Sequence, residues 1–312
     1  EATDSMQRPY RKWKRQLREL VELFLLPVAA TLLPWRWSLR LFRWLSRWQG
    51  WYREEIALSI AHVRALGVVE NIDEFARRLR WRLLVEHMDC FLVPMRGRRY
   101  LQRWVQAHGD PLPERGPVLF IGTHHGCGYW FLPYVKSQRL RPNIVAPRLG
   151  PLLSRSSLQG NLYVRLRHKL IAFAAGRPLV YKGGSAGEAI RQMLSEGEVC
   201  FGLCDMPTNR PDAVPVRLLG LSTQLAQNMF EIGLQTGAAI YLFSSDTDLH
   251  TGMRHVHFQR ANGGSPEAMV RQFADLLNVS LLRDPAGWRF WSIAPSFFPL
   301  PFAAPERPDT CA

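Results

Sequence analysis

Two adjacent histidines, His124 and His125, follow the apolar run Val118-Leu119-Phe120-Ile121 and precede Gly126, Cys127 and Gly128. The run reads as a short buried strand, the glycines as a turn, and Gly126–Lys136 as a helix. Strand ends and the helix starts that follow them are where open α/β sheets gather ligands and reacting groups. A histidine there can take a proton from a hydroxyl near neutral pH. Gly126 lets a ligand approach the backbone, and N–H groups left free in the turn suit an oxyanion. Cys127 offers a thiolate nucleophile beside His124 or His125, against the plainer reading of a small residue filling a tight turn. A strand-end histidine can equally be a hydrogen-bonded structural group.

A histidine base works best with a partner that orients it. With four residues intervening, His124 is followed by Tyr129 and His125 by Trp130, and neither is a carboxylate. Three arrangements are compatible with the sequence. Asp205, at the end of the predicted strand Val199–Leu203, reaches His124 as the acid. Alternatively Tyr129 or a backbone carbonyl orients the ring. In the third, the site is degenerate and binds a ligand without turnover. Arg165, Arg167 and Lys182 are candidate contacts for phosphates of a ligand, or else solvated surface charges.

The elements that must position these residues alternate. Strand-like runs fall at Val118–Ile121, Asn143–Ala146, Leu170–Phe173, Leu179–Tyr181, Val199–Leu203, Val214–Leu219, Ala239–Phe243, Val256–Phe258 and Phe290–Ile293. Helical patterns fall at Gly126–Lys136, Ser185–Ser195 (opened by the capping pair Ser185 and Glu188), Thr223–Gln235 and Pro266–Leu282. Upstream, helices continue to about Gln106, with Asn71–Met95 the clearest. This alternation implies an α/β fold, a mixed and largely parallel sheet flanked by helices, with a helical N-terminal membrane-association region. The expected divisions are residues 1–53 (basic, Trp-rich), 54–110 (helical packing), 111–300 (the α/β domain) and 301–312 (a disordered tail).

The segment Phe120–Trp130 resembles the catalytic motif of the lipid A biosynthesis (late) acyltransferases, a lysophospholipid-acyltransferase-like family. That motif is an apolar strand, then His, four residues and an acid; His124 matches its histidine and Gly126 its glycine, whereas Tyr129 stands in the acid's place. Met193–Val199 followed by Leu203-Cys204-Asp205 is similar to the family's helix, glycine, strand and aspartate. Val214–Thr223 resembles its Phe-Phe-Gly-x-x-Thr loop, with Leu218-Leu219 replacing the phenylalanines and Gly220 and Thr223 retained. In order, the resemblance spans roughly Arg18 to Phe298. It implies acyl transfer from a thioester, on acyl carrier protein or CoA, to a hydroxyl of a lipid or glycolipid, with His124 as general base. It also implies no cofactor beyond the acyl thioester substrate, and a place at the cytoplasmic face of a bacterial inner membrane. The alternatives are a non-catalytic lipid- or carrier-binding protein and a thioesterase-like hydrolase.

Charge points the same way. The 312-residue chain carries 40 Lys+Arg against 26 Asp+Glu, a net +14, which calls for an anionic partner. Between Arg8 and Arg53 there are eleven basic residues, two acids and six of the eleven tryptophans. Arg36, Arg40, Arg43 and Arg47 recur at helical spacing beside a stripe of Trp37, Leu41, Trp44 and Trp48, with Leu39, Phe42 and Leu45 on the remaining surface. Such a helix can lie in an anionic headgroup layer with its apolar side among acyl chains. Leu20–Pro34 is apolar but interrupted by Glu22 and Pro27 and shorter than the roughly 20 residues a spanning helix needs, which favours an interfacial or re-entrant segment. No nucleic-acid-binding signature accompanies the basic charge. Five scattered cysteines at no ligand spacing argue against a zinc site and suit a reducing compartment.

Overall fold

The computed structural model describes residues 13–126, 128–146, 157–181 and 186–299. The chain opens with helix α1 (13–20), a π-helical turn (Val21–Leu25), and helices α2 (Leu26–Leu32), α3 (Trp35–Leu45) and α4 (Arg53–Leu66). Helix α5 (Ile72–Trp104) has 33 residues, about 50 Å at 1.5 Å per residue. The Asn71 side chain caps it by accepting the Glu74 N–H at 2.9 Å. Helices α6 (Phe131–Ser137), α7 (Leu158–Ala175), α8 (Ala186–Ser195), α9 (Asn228–Gln235) and α10 (Pro266–Arg283) alternate with the strands.

Among the described residues the strands are β1 (Val105–Gly109), β2 (Val118–Gly122), β3 (Asn143–Ala146), β4 (Val180–Tyr181), β5 (Val199–Leu203), β6 (Val214–Leu218), β7 (Leu221–Leu225), β8 (Ala239–Thr247) and β9 (Arg254–Arg260). Seven form one sheet in the order β1-β9-β8-β2-β5-β3-β4, parallel throughout except for the β8–β9 pair. The fold is therefore α/β with a mixed, mostly parallel sheet. Every residue of β2 is buried, as expected of a central parallel strand covered on both faces. One apolar cluster runs from Ala30 to Phe298, so the N-terminal helices share the core of the sheet.

Several segments differ from the sequence reading. Leu170–Phe173 is apolar but lies inside α7, which is capped by Ser157 and ends at Gly176 in the left-handed region (φ 78°). Val105–Gly109, expected to close the helical stretch, forms β1 by pairing with β9. Thr223 does not begin a helix: Leu221–Leu225 pairs antiparallel with β6, and α9 starts only at Asn228. The hairpin turns through Leu219 (φ 52°) and Gly220 (φ 79°), two positive-φ residues matching a twisted two-residue turn. Phe290–Ile293 is not a strand; Trp291–Ser296 is 3₁₀-helical. Strand pairing decides Val105–Gly109 and Leu221–Leu225, whereas Leu170–Phe173 and Phe290–Ile293 are apolar runs that become helical. The capping pair at Ser185 and the tail 301–312 lie outside the described residues.

No helix among the described residues is long and apolar enough to cross a membrane. On α3, Leu39, Phe42 and Leu45 face the core, correcting the expectation that this side meets acyl chains. Arg36, Arg40 and Arg43, with Arg47 just beyond, remain exposed. So do Trp37 (63%), Trp44 (48%) and Trp48 (51%).

Candidate active site

Strand register builds the centre of the site. β2 and β5 are parallel neighbours, with Gly122 opposite Leu203. Continuing that register two residues beyond each strand sets His124 opposite Asp205. The Cys204 N–H donates to the Gly122 carbonyl at 3.1 Å, holding the two chains together past the strands.

Asp205 is fully buried and receives three donors. Its Oδ1 accepts from His124 Nδ1 at 2.7 Å, and its Oδ2 accepts from the His124 backbone N–H at 2.7 Å. The Trp288 indole N–H donates to Oδ2 at 3.1 Å. The Nδ1–H tautomer of His124 follows from the facing carboxylate, which leaves Nε2 as the unprotonated ring nitrogen. On its other side the His124 ring packs on Phe290, centroids 4.4 Å apart.

His125 points elsewhere. It is fully buried, with Nε2 donating to the Asp284 carbonyl at 2.8 Å, and Nδ1 lies 3.5 Å from the Ser245 carbonyl. Burial, reinforced by nearby Arg82, holds its pKa below the ordinary value. Gly287 must be glycine because its Cβ would strike the His125 ring. His125 is thus a structural histidine, and His124 faces the cavity.

Gly126 has φ 66°, and a Cβ on it would collide with the Ser245 carbonyl. The glycine is required by this approach to β8, beside its place in the cavity wall. The turn's N–H groups differ from expectation. Those of His124, His125 and Gly126 donate to Asp205, the Thr123 hydroxyl and the Gly287 carbonyl, so none of the three is free for an oxyanion.

The cavity that His124 faces has a volume of about 780 Å³. Leu132, Ile144, Ile171, Phe201, Leu203 and Phe243 supply apolar walls, and Glu55, Glu86, Arg167 and Arg289 a polar end. Glu86 bridges both guanidiniums, at 3.2 Å to Arg167 and 3.1 Å to Arg289, and Arg289 also lies 3.6 Å from Glu55. Burial alone would raise the Glu86 carboxyl, but Arg289 and Arg167 outweigh it and hold it below the ordinary range.

The remaining sequence candidates separate. Tyr129 lines the cavity, but its hydroxyl donates to the Arg167 carbonyl at 3.4 Å rather than to His124. Burial pushes the Tyr129 phenol above its ordinary range. Arg167 reaches the cavity; Arg165, two residues earlier on α7, is exposed and lies outside its lining. Gly220 is at the hairpin tip, and Thr223 is buried with its hydroxyl donating to the Phe297 carbonyl at 2.8 Å; neither lines the cavity. Cys127 and Lys182 lie outside the described residues. Sequence reasoning missed Trp288, Arg289, Phe290, Glu86 and Glu55. The aromatic density of Trp288, Phe290 and Trp291 was the available signal, read instead as a strand.

Fold and site define an α/β protein with a buried aspartate orienting a histidine at adjacent strand ends, opening on a largely apolar cavity. No protein-family model matches the chain, and no curated protein is significantly similar to it in sequence.

Proposed function

We propose that this protein is a membrane-surface acyltransferase. It moves an acyl chain from a thioester, on acyl carrier protein or CoA, to a hydroxyl of a lipid or glycolipid. The observation that carries this reading is the His124–Asp205 pair facing an apolar cavity of about 780 Å³, within the usual range for small-molecule sites of roughly 300–1,000 Å³. The resemblance of Phe120–Trp130 and of the Asp205 segment to late acyltransferases of lipid A supports it.

The chemistry follows from the geometry. The acceptor hydroxyl gives its proton to His124 Nε2 as its oxygen bonds to the thioester carbonyl carbon. The tetrahedral intermediate then collapses, the C–S bond breaks, and the imidazolium returns the proton to the leaving thiolate. Asp205 at Nδ1 holds the ring and stabilises the imidazolium, and the apolar walls take the acyl chain. General-base catalysis of this kind contributes about 10²–10⁴-fold. In this reading Asp205, not Tyr129, supplies the acid that the motif lacks. Arg167 and Arg289, both bridged to Glu86 at the polar end of the cavity, are the cations that would meet a phosphate of the acceptor or carrier by exchanging that ion pair. The exposed Arg and Trp residues of α3 suit peripheral association with an anionic surface, at the cytoplasmic face of a bacterial inner membrane.

The test is transfer of label from an acyl-carrier-protein pool to a total membrane lipid extract, comparing wild type with His124→Ala. Label in a lipid product with wild type only is the expected result. Label released as free fatty acid would recast the protein as a hydrolase. No turnover with either protein, across carrier and CoA donors, would reject the enzyme and leave a lipid- or carrier-binding role.

A further inference from the structure

A second cavity lies apart from the His124 site. It is a groove of about 650 Å³ between the later turns of α5, helix α6 and the end of α7. Val93, Leu101, Pro133 and Phe173 give it an apolar lining, and Phe173 is 54% exposed. Four cations stand along it: Arg96, Arg98, Arg99 and Lys136. Among the described residues that line it, none is acidic.

Two of these cations are held by backbone carbonyls, which position a charge without neutralising it. Arg96 donates to the carbonyls of Leu32 and Leu33 at 2.9 and 3.0 Å, and Lys136 to that of Phe173 at 3.1 Å. Arg98 and Arg99 are exposed. Among the described residues, none of the four is ion-paired with a carboxylate, although ion pairs hold the guanidiniums of Arg167 and Arg289 beside the His124 cavity. Apolar floor and unneutralised rim together match an amphiphile with an anionic head. A free anion would leave the floor unused, and an acidic protein surface would suit a flat basic face better than a concave groove of small-molecule size. Exposed Leu32, Leu33 and Met95 adjoin Arg96 and continue the apolar surface outward.

We propose that this groove binds one anionic phospholipid, its phosphate among Arg96, Arg98, Arg99 and Lys136 and an acyl chain along Val93, Leu101 and Phe173. The assignment deepens the membrane-surface part of the functional reading and is independent of acyl transfer. It gives the protein a lipid-specific contact in addition to the Arg and Trp face of α3.

The test uses the 312-residue chain and dihexanoylphosphatidylglycerol below its micelle concentration, followed by titration calorimetry. A monomeric lipid separates groove binding from adsorption to a bilayer. Expected is saturable binding of one equivalent, with dihexanoylphosphatidylcholine and inorganic phosphate each at least about tenfold weaker, a difference of about 1.4 kcal/mol. Arg98→Glu with Arg99→Glu, and separately Phe173→Glu, should each weaken it at least about tenfold with the melting temperature kept, since all three side chains are exposed. Trp37→Ser, Trp44→Ser and Trp48→Ser together should leave it unchanged while reducing adsorption to phosphatidylglycerol vesicles. Absence of saturable binding, equal affinity for the phosphatidylcholine, or binding that survives both groove variants would overturn the proposal. Inorganic phosphate binding as tightly would make the groove a free-anion site. Binding of an acidic carrier protein but not of lipid, abolished by the charge reversals, would make it a protein-docking face. Undiminished vesicle adsorption by the tryptophan variant bears on the α3 reading alone, so the two failures are distinguishable.

Discussion

Asp205 owes its geometry to three donors, the His124 ring, the His124 backbone N–H and the Trp288 indole. Asp205→Asn keeps the shape but places an amide N–H where an acceptor is needed, so His124 loses its tautomer and orientation. The expected result is a fall in kcat of at least about tenfold with the fold intact, and an unchanged rate would remove Asp205 from the mechanism. Trp288 acts through Asp205, at 3.1 Å, and is a positioning residue. Trp288→Phe deletes one hydrogen bond to a charged group, worth about 1.5–3 kcal/mol, so kcat should drop about tenfold or more while KM holds. A change in KM alone would assign Trp288 to cavity shape. His124 and Asp205 were legible in the sequence because each ends an apolar run. Trp288 was not, because no local pattern announces an indole aimed at a carboxylate 83 positions earlier.

Glycines at the ends of elements give a paired test. Gly126 and Gly220 both have positive φ, 66° and 79°. Only Gly126 is pressed against backbone, at the Ser245 carbonyl; Gly220 has open space around its absent Cβ. Gly220→Ala should therefore cost about 1–2 kcal/mol from the left-handed conformation alone. Gly126→Ala adds displacement of β8 and should cost clearly more. Urea-denaturation midpoints measure both, and equal shifts would refute the close-approach argument. The strands β3 and β5 were readable at their full extents, since short apolar runs between turn signals are what a buried parallel strand requires. Leu170–Phe173 misled because four apolar residues look alike in a strand and on a helix. β1 was missed because its residues become a strand only by pairing with β9, far along the chain.

Over the whole molecule, buried histidines set a pH dependence. Burial, with Arg289 as the next contributor, lowers His87 to about 3, and His125 is lowered as well. Unfolded histidine titrates near 6.5, so below that pH the unfolded chain binds protons that the folded chain refuses. Stability should thus fall as pH drops through 6.5, by about 1.4 kcal/mol at pH 5.5 for His87 alone, with His125 adding in the same direction. Carboxyls held low, such as Asp246, Asp284 and Glu86, lose their contribution only at more acidic pH, below the ordinary carboxylate range near 4. The measurement is the melting temperature at pH 7.5 and 5.5, where His87→Gln should narrow the drop. An equal drop in that variant would show that His87 is not its source.

The sequence by itself determined the α/β class, the strand ends that carry His124 and Asp205, and the basic, tryptophan-rich character of α3. These follow from residue type and short-range period, which act within a few positions along the chain. Tertiary structure alone decided that β5 lies beside β2, and with it that Asp205 and not Tyr129 meets His124. It also decided which of two adjacent histidines faces the cavity, and that Leu39, Phe42 and Leu45 belong to the core. Each of those outcomes rests on strand order or on packing between segments distant in sequence, a choice that one segment's pattern leaves open until the sheet forms.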